Sequence, residues 1–175
     1  MHRLSVDEFK AASKLPLIVV LDNVRSLHNV GSVLRSCDAF RVEAVYLCGI
    51  TATPPSAEIH KTALGAEDSV TWKYFAQTTD AIDELHAKGT KVYAVEQVAG
   101  STMLQNLDTE AGTRYAVVLG NEVKGVQQTV VDLCDGCLEI PQFGTKHSLN
   151  VSVAAGIVVW EFAKKIGKGE EVKRR

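Results

Sequence analysis

The stretch IPQFGTKHSLNVSVAAG, from Ile140 to Gly156, joins a strand end, a glycine-containing loop and the start of a long helix. Ser148, Leu149 and Asn150 open that helix, and small or apolar residues follow on nearly every face. Because a surface helix would carry a polar stripe, we expect this helix to be buried on all sides. Polar side chains and unpaired backbone N–H groups at the mouth of a buried helix indicate a ligand site.

The composition is that of an ordinary globular domain. The chain has 175 residues, 46% of them hydrophobic, and a formal net charge of −2. This charge argues against an extended surface that coats a polyanion, although it is compatible with a local basic groove. No apolar run approaches the roughly 20 residues of a membrane span, and the start from Met1 to Glu8 has no apolar signal region. We therefore expect one domain in the cytoplasm without membrane contact.

Two of the four cysteines, Cys134 and Cys137, have the spacing of a metal knuckle or a redox pair. A structural zinc site needs four ligands, and Cys37 and Cys48 do not form a second such pair. Cys37 lies in a helical pattern and Cys48 in an apolar strand, where a free cysteine behaves as a small core residue. We therefore expect no metal.

Apolar runs of strand length alternate with helical patterns along the chain. The predicted strands are Leu17 to Leu21, Val42 to Cys48, Thr71 to Phe75, Lys91 to Val95, Tyr115 to Leu119 and Leu138 to Ile140. The predicted helices are Asn29 to Phe40, His60 to Leu64, Thr79 to Lys88, Val126 to Cys134 and Ser148 to Ile166. This alternation predicts an α/β fold with one doubly wound, mostly parallel sheet and helices on both faces. We divide the chain into an N-terminal extension (1–16), one domain (17–167) and a charged tail (168–175).

Three segments follow predicted strands and combine glycines with polar side chains, namely residues 22–35, 119–125 and 140–156. In open α/β sheets, ligands bind beyond the carboxyl ends of the strands, where such loops converge. Known phosphate and nucleophile motifs do not account for them. The pair Gly120 and Gly125 lacks the Lys-Ser/Thr of a P-loop, and no Gly-x-Ser-x-Gly elbow surrounds Ser148.

The three segments resemble, in order, the three signature motifs of the SpoU/TrmH family of RNA ribose 2′-O-methyltransferases, in the SPOUT superfamily. The matching positions are Asn29, Gly31, Arg35, Ala39 and Phe40; then Leu119, Gly120, Asn121, Glu122 and Gly125; then Ile140, Pro141, Gly144 and 148–154. The run from Lys61 to Ala66 is similar to a further short element of the family. Gln142 stands where the family usually has methionine, and Arg41 where it often has glycine.

The resemblance implies properties that the residue patterns alone do not give. The C-terminal part of the sheet would form a deep trefoil knot, an exception to the usual absence of knots. The protein would act as a homodimer, with the small-residue face of the last helix as a contact. Loops of the knot would bind S-adenosylmethionine through Glu96, Leu119, Gly120, Ile140, Ser148, Leu149 and Asn150.

The implied reaction moves a methyl group from a sulfonium to a ribose oxygen, so it requires alignment, proton removal and stabilisation of negative charge. The catalytic candidates are Arg35, Asn29, Glu122, Ser148 and Asn150. Arg35 would clamp a phosphate beside the hydroxyl rather than accept a proton, because a guanidinium stays protonated. Asn29 and Glu122 would position Arg35 or the ribose, and Asn150 would hold the methionine end or the hydroxyl.

Simpler interpretations of these residues stay open at this point. Asn29 and Ser148 are both common helix caps, Arg35 could pair with Asp38, and Glu122 could be a solvated loop acid. The alternative function is a knotted RNA-binding module without catalysis. His28 and His147 flank motif residues and are interpreted as loop or RNA-contact side chains.

RNA is the expected substrate, and we expect tRNA rather than rRNA because few residues precede the first predicted strand. A basic surface across a dimer would hold the nucleic acid. Its candidates are Lys10, Lys14, Lys61, Lys124, Lys146, Lys164, Lys165, Lys168, Lys173, Arg174 and Arg175.

Overall fold

The computed structural model of the chain describes residues 3–167, so the tail predicted at 168–175, with four of the candidate basic residues, lies outside the described residues. The helices are α1 (Val6–Ala11), α2 (Leu27–Ala39), α3 (Ala57–Ala63), α4 (Ala66–Ser69), α5 (Thr78–Ala87), α6 (Gln128–Leu133) and α7 (Val151–Ile166). The strands are β1 (Leu15–Asp22), β2 (Val42–Cys48), β3 (Trp72–Phe75), β4 (Lys91–Val95), β5 (Thr102–Met103), β6 (Tyr115–Gly120) and β7 (Gly136–Glu139). A 3₁₀ turn covers Leu104–Asn106.

Within residues 3–167, the strands form a seven-stranded sheet in the order β3-β2-β1-β6-β4-β7-β5, with every pair parallel. The sheet is buried on both faces. Leu17, Val19 and Leu21 of β1 face a core shared with α2 and α7, whereas Ile18 and Val20 face a second core shared with α5 and α6. This alternation is why β1 is a continuous apolar run, as predicted for a parallel strand covered on both sides.

Several predicted elements are confirmed, and others differ at their ends. The strands predicted at Val42–Cys48 and Lys91–Val95 have those bounds. The last strand lies earlier than predicted, at Gly136–Glu139, because it pairs with β4 from Tyr93 onward. Within the predicted extension, Val6–Ala11 forms α1, and Phe9 is buried in the core shared with α2.

The last helix differs from expectation in its start and its burial. Asn150 is its N-cap, so Ser148 and Leu149 precede the helix instead of opening it. The prediction of burial on all sides is wrong for this chain, because Val153, Ile157 and Trp160 are exposed. Their spacing places them on one face, so an apolar stripe remains open to solvent. Among the described residues, no helix is both long and apolar enough to cross a bilayer.

A buried carboxylate fixes the loops at the carboxyl edge of the sheet. Asp22, the last residue of β1, is fully buried. It accepts hydrogen bonds from the Thr78 hydroxyl over 2.6 Å, the Gln127 side-chain amide over 2.7 Å and the Gln127 backbone N–H over 2.8 Å. Because a buried carboxylate is tolerated only when such donors surround it, this residue ties β1 to the starts of α5 and α6.

Arg41 follows α2 in the turn that leads into β2. Its φ of 51° is in the left-handed region. This region favours glycine, which accounts for the glycine that the resembling family often has there.

Candidate active site

A cavity of about 610 Å³ opens at the carboxyl edge of the sheet. Three adjacent strands, β6, β4 and β7, end beneath it, and the chain leaves them at Gly120, Val95 and Glu139. The loop before α7 forms the remaining wall, as far as Val151 and Ala154 of the helix itself. Parallel strands end at the same edge, so three loops that are distant in sequence meet around one space.

All the residues proposed for cofactor binding line this cavity. They are Glu96, Leu119, Gly120, Ile140, Ser148, Leu149 and Asn150. The structure therefore brings the second and third sequence segments together. The binding role of each of these residues stays a prediction.

The loop after β6 is folded so tightly that its glycines cannot be replaced without movement. A Cβ on Gly120 would lie 2.1 Å from the Gly125 carbonyl carbon, and one on Gly125 would lie 2.3 Å from Oε1 of Glu96. That same Oε1 accepts a hydrogen bond from the Val126 N–H over 2.6 Å. Glu96 therefore holds the far side of the loop in place, and the backbone itself forms part of the cavity wall.

Glu122 and two asparagines connect the three sequence segments. The Glu122 Oε1 accepts from the Asn29 side-chain amide over 3.2 Å. The Asn29 Oδ1 in turn accepts from the Asn150 side-chain amide over 3.2 Å. A continuous chain of hydrogen bonds therefore runs from the loop after β6, through α2, to the N-cap of α7.

Glu122 is more than a solvated loop acid. Its carboxylate also accepts from the backbone N–H groups of Arg25 and Ser26, over 3.0 and 2.9 Å. Burial pushes the pKa of Glu122 upward, but these hydrogen bonds and that from Asn29 outweigh it and hold the pKa below its ordinary value. The group is therefore a carboxylate near neutral pH and sits at the electropositive start of α2.

The two simple capping interpretations do not describe this site. Asn150, not Ser148, caps α7, where its Oδ1 accepts from the Ser152 and Val153 N–H groups over 2.9 and 3.3 Å. Asn29 does not cap α2, since Ser26 occupies that position. The Asn29 side chain is instead held between Glu122 and Asn150, and Asn150 both caps α7 and donates to Asn29.

Arg35 lies apart from this hydrogen-bonded chain. It is exposed on α2 and is not among the described residues that line the cavity. Its guanidinium has no hydrogen bond or ion pair within residues 3–167, and the Asp38 carboxylate accepts instead from the Ser69 hydroxyl over 2.5 Å. His28 lies two turns before Arg35 on the same face of α2. Its Nε2 is 3.1 Å from Oε2 of Glu58. The pairing of Arg35 with Asp38 is therefore not found, and the guanidinium is open to a ligand.

The cavity wall includes residues that were not among the predicted site residues. Gln142 lines the cavity, so this departure from the family pattern faces the ligand space. His147 and Lys124, which the sequence offered only as RNA contacts, line it as well. Asn121, a position of the second motif, holds its own loop, since its side-chain amide donates to the Asn23 carbonyl over 2.8 Å.

Burial affects the chemistry of the cysteine thiols. Burial raises the pKa of the Cys134 thiol to about 12, and that of Cys48 to about 12. Protonated thiols are poor nucleophiles and poor ligands. Across the part of the chain that is described, no group of three or more His, Cys, Asp or Glu side chains could hold a metal ion.

Comparison with known proteins identifies relatives of this chain. The family model described as the SpoU rRNA Methylase family matches residues 16–160. The 23S rRNA (guanosine-2'-O-)-methyltransferase RlmB of Nitrosomonas europaea is 36% identical over 156 residues, which cover 89% of this chain and 58% of that protein. The chain thus spans less than two thirds of that relative's length.

Two solved structures share the fold along most of the chain. The A. aeolicus TrmH/SpoU tRNA modifying enzyme has a TM-score of 0.81 and 25% identity, and the match covers 94% of this chain and 83% of that one. The AdoMet bound rRNA methyltransferase from Sinorhizobium meliloti has a TM-score of 0.79 and 29% identity, with 87% of this chain and 60% of that one covered.

Proposed function

The chain belongs to the SpoU/TrmH family of RNA 2′-O-methyltransferases, and on that premise we propose that it transfers a methyl group from S-adenosylmethionine to a ribose 2′-hydroxyl of RNA. The observation that carries this proposal is the hydrogen-bonded chain from Glu122 through Asn29 to Asn150. It joins one polar residue from each motif beside a cavity of ligand size.

The cavity fits S-adenosylmethionine in size and in chemistry. The cavity volume of about 610 Å³ is typical of sites that bind small molecules. Leu119, Leu138 and Ile140 give it an apolar wall for a flat ring. Gly120 lets the backbone of the loop after β6 fold closely against itself at the edge of this space. When bound, the sulfonium supplies the methyl group.

The polar side chains of the three motifs have different roles in methyl transfer. Glu122 stays ionised and fixes the start of α2, and Asn29 passes that restraint to Asn150 at the cavity wall. We assign Arg35 to a phosphate next to the target ribose, where a planar guanidinium clamps two oxygens and stabilises developing charge. Ser148 lies on the wall with its hydroxyl unbonded among the described residues, ready to donate to a ligand.

The substrate proposal favours ribosomal RNA and keeps tRNA as a second candidate. The named relatives at 36% and 29% identity are rRNA methyltransferases, which supports ribosomal RNA. The A. aeolicus protein with the similar fold is a tRNA modifying enzyme, which supports tRNA. The expectation of tRNA from the sequence therefore has one relative in its favour and is not the leading candidate.

We also propose a homodimer formed through the exposed stripe of α7. The stripe consists of Val153, Ile157 and Trp160, and Leu149 extends it toward the cavity. These are larger side chains than the small-residue face expected from sequence. An exposed apolar face of this kind is typical of a protein–protein contact. The deep trefoil knot belongs to this same proposal and would surround the loops after β6 and β7.

Two measurements test the proposed activity. Titration calorimetry should detect S-adenosylmethionine binding to the purified protein, and a tritiated donor should label RNA from a strain that lacks the gene. The product should be a 2′-O-methylated nucleotide, identified as an alkali-resistant dinucleotide. RNA binding without donor binding or labelling would favour the alternative, a knotted RNA-binding module without catalysis.

A further inference from the structure

Two loops at the mouth of the cavity carry the most exposed large hydrophobic side chains among the described residues. Phe143 is 96% exposed and Val123 is 88% exposed. Neither side chain helps to hold the fold, because almost none of its surface is removed from water. An exposed phenylalanine in a loop that walls a ligand cavity is thus available for a contact with something outside this chain.

Both loops contribute residues to the wall of the cavity. Val123 is at the tip of a closed turn, in which Asn121 and Gly125 exchange backbone hydrogen bonds of 3.1 and 2.9 Å. The Asn121 Oδ1 also accepts from the Val123 N–H over 2.9 Å, which fixes the tip. Phe143 directly follows Gln142, which lines the cavity. Val123 itself lines the cavity, and Phe143 is the immediate neighbour of a residue that does.

Unpaired positive charges accompany these side chains. Lys124 follows Val123, and Lys146 lies three residues after Phe143, both exposed. Within residues 3–167 neither lysine ammonium group has a hydrogen-bond or ion-pair partner. Most other lysines of that range are already engaged: Lys61, Lys73, Lys88, Lys91, Lys164 and Lys165 each lie within 4.0 Å of a carboxylate. Two unpaired lysine ammonium groups thus lie close in sequence to the two exposed hydrophobic side chains.

Building on the proposed function, we propose that Phe143 stacks on a nucleobase of single-stranded RNA while Lys124 and Lys146 contact the flanking phosphates. An aromatic ring beside unpaired cations is the arrangement that single-stranded nucleic acid binds, since every base offers a flat face and every linkage a charge. Val123 borders the base from the opposite loop. The preferred substrate is therefore an unpaired loop or end rather than a continuous duplex.

Charge argues against a second copy of this chain as the occupant. A symmetric contact between two protomers would use the same patch on both sides. It would therefore bring Lys124 and Lys146 of both copies into one small area, where their charges repel. A polyanion meets the same patch with opposite charge, which favours RNA.

Fluorescence anisotropy tests the proposal without turnover. The probes are a labelled single-stranded RNA of about a dozen nucleotides, which suits the site sizes known for such proteins, and the same strand annealed to its complement. Phe143→Ala should weaken single-strand binding by about fivefold to 100-fold, because stacking on one ring contributes that much. Phe143→Tyr should retain wild-type affinity. Leu133→Ala, at the far end of α6, should leave binding unchanged.

The outcomes of these experiments distinguish base stacking from a contact between two copies of this chain. In transfer assays, the stacking role predicts a raised KM for Phe143→Ala with kcat and S-adenosylmethionine affinity unchanged. Equal single-strand affinity of Phe143→Ala and wild type would overturn the proposal, as would a shift of the variant from dimer to monomer in sedimentation. Failure of methyl transfer is read separately from binding, so it would count against the proposed activity and not against stacking.

Discussion

The side-chain amide of Asn150 donates to Oδ1 of Asn29 over 3.2 Å, although 121 residues separate the two asparagines in the chain. Asn150 uses its oxygen to cap α7 and its nitrogen to reach α2. The two functions reside on different atoms of one amide. Substitutions can therefore separate stability from activity at this position.

We expect Asn150→Asp to keep the fold and lose the activity. A carboxylate still accepts from the Ser152 and Val153 N–H groups but cannot donate to Asn29. Unfolding in urea should stay near the wild-type free energy, while methyl transfer should fall about 10- to 100-fold because the site is misaligned. Asn150→Ala is the comparison, and it should also lose about 1 kcal/mol of stability with the cap. Full activity of Asn150→Asp would contradict the positioning role.

Arg35→Ala should abolish transfer without affecting the donor. Because the guanidinium is exposed and unpartnered within the described range, its removal costs little stability. We expect turnover to fall by about 100-fold or more, as for loss of a single charge-stabilising donor. Calorimetry should give unchanged S-adenosylmethionine affinity. Arg41→Ala, just past the C-terminal end of α2, is the matched control and should be active.

Glu122→Gln should destabilise the protein in a way that depends on pH. The pKa of Glu122 is lowered in the folded state, so its stabilising effect is present above the unfolded value near 4.3 and is lost as the pH falls through the folded value. Thermal unfolding should show a deficit of about 1 kcal/mol at pH 7. Once the pH is below the folded pKa of Glu122, the two proteins should converge. A deficit that persists at low pH would mean that the charge is not responsible.

Gly120→Ala should damage both the loop and the cavity. The added methyl group would lie 2.1 Å from the backbone of Gly125 and Val126. We expect a loss of about 1–3 kcal/mol from overpacking, together with loss of S-adenosylmethionine binding. Gly167→Ala has no atom within 4 Å of its new methyl group and should be neutral in both measurements.

Ile157→Asp should convert a dimer to a monomer in sedimentation experiments. A charge in the centre of an apolar contact lacks a partner and disfavours association. Leu133→Asp provides a matched control, because Leu133 is 39% exposed and Ile157 is 38% exposed. Unchanged sedimentation of Ile157→Asp would exclude the α7 stripe as the contact.

The sequence was sufficient for the parallel sheet and for the three segments at its carboxyl edge. Strands such as β2 and β4 are short apolar runs between clear turn signals, and their bounds agree with prediction. The bounds of α6 differ from the prediction. Its predicted first residue, Val126, donates its backbone N–H to Glu96 before the helix begins. Such an interaction depends on a residue 30 positions away, which local patterns do not contain.

The site was less predictable than the fold for the same reason. The motif resemblance selected Asn29, Glu122 and Asn150, but their mutual hydrogen bonds depend on how distant segments meet. The apolar pattern of α7 also gave a wrong prediction of its burial. Such a pattern shows where apolar residues lie on a helix but does not distinguish a buried apolar face from an exposed one. The exposed Trp160 shows this difference directly.

The position of α7 on the cavity wall has a consequence for synthesis of the protein on the ribosome. Val151 and Ala154 close a space whose other walls were translated earlier. A nascent chain therefore has no complete cavity until this helix has left the exit tunnel. If the proposed donor binds there, it will stabilise chains that include α7 over chains truncated before it.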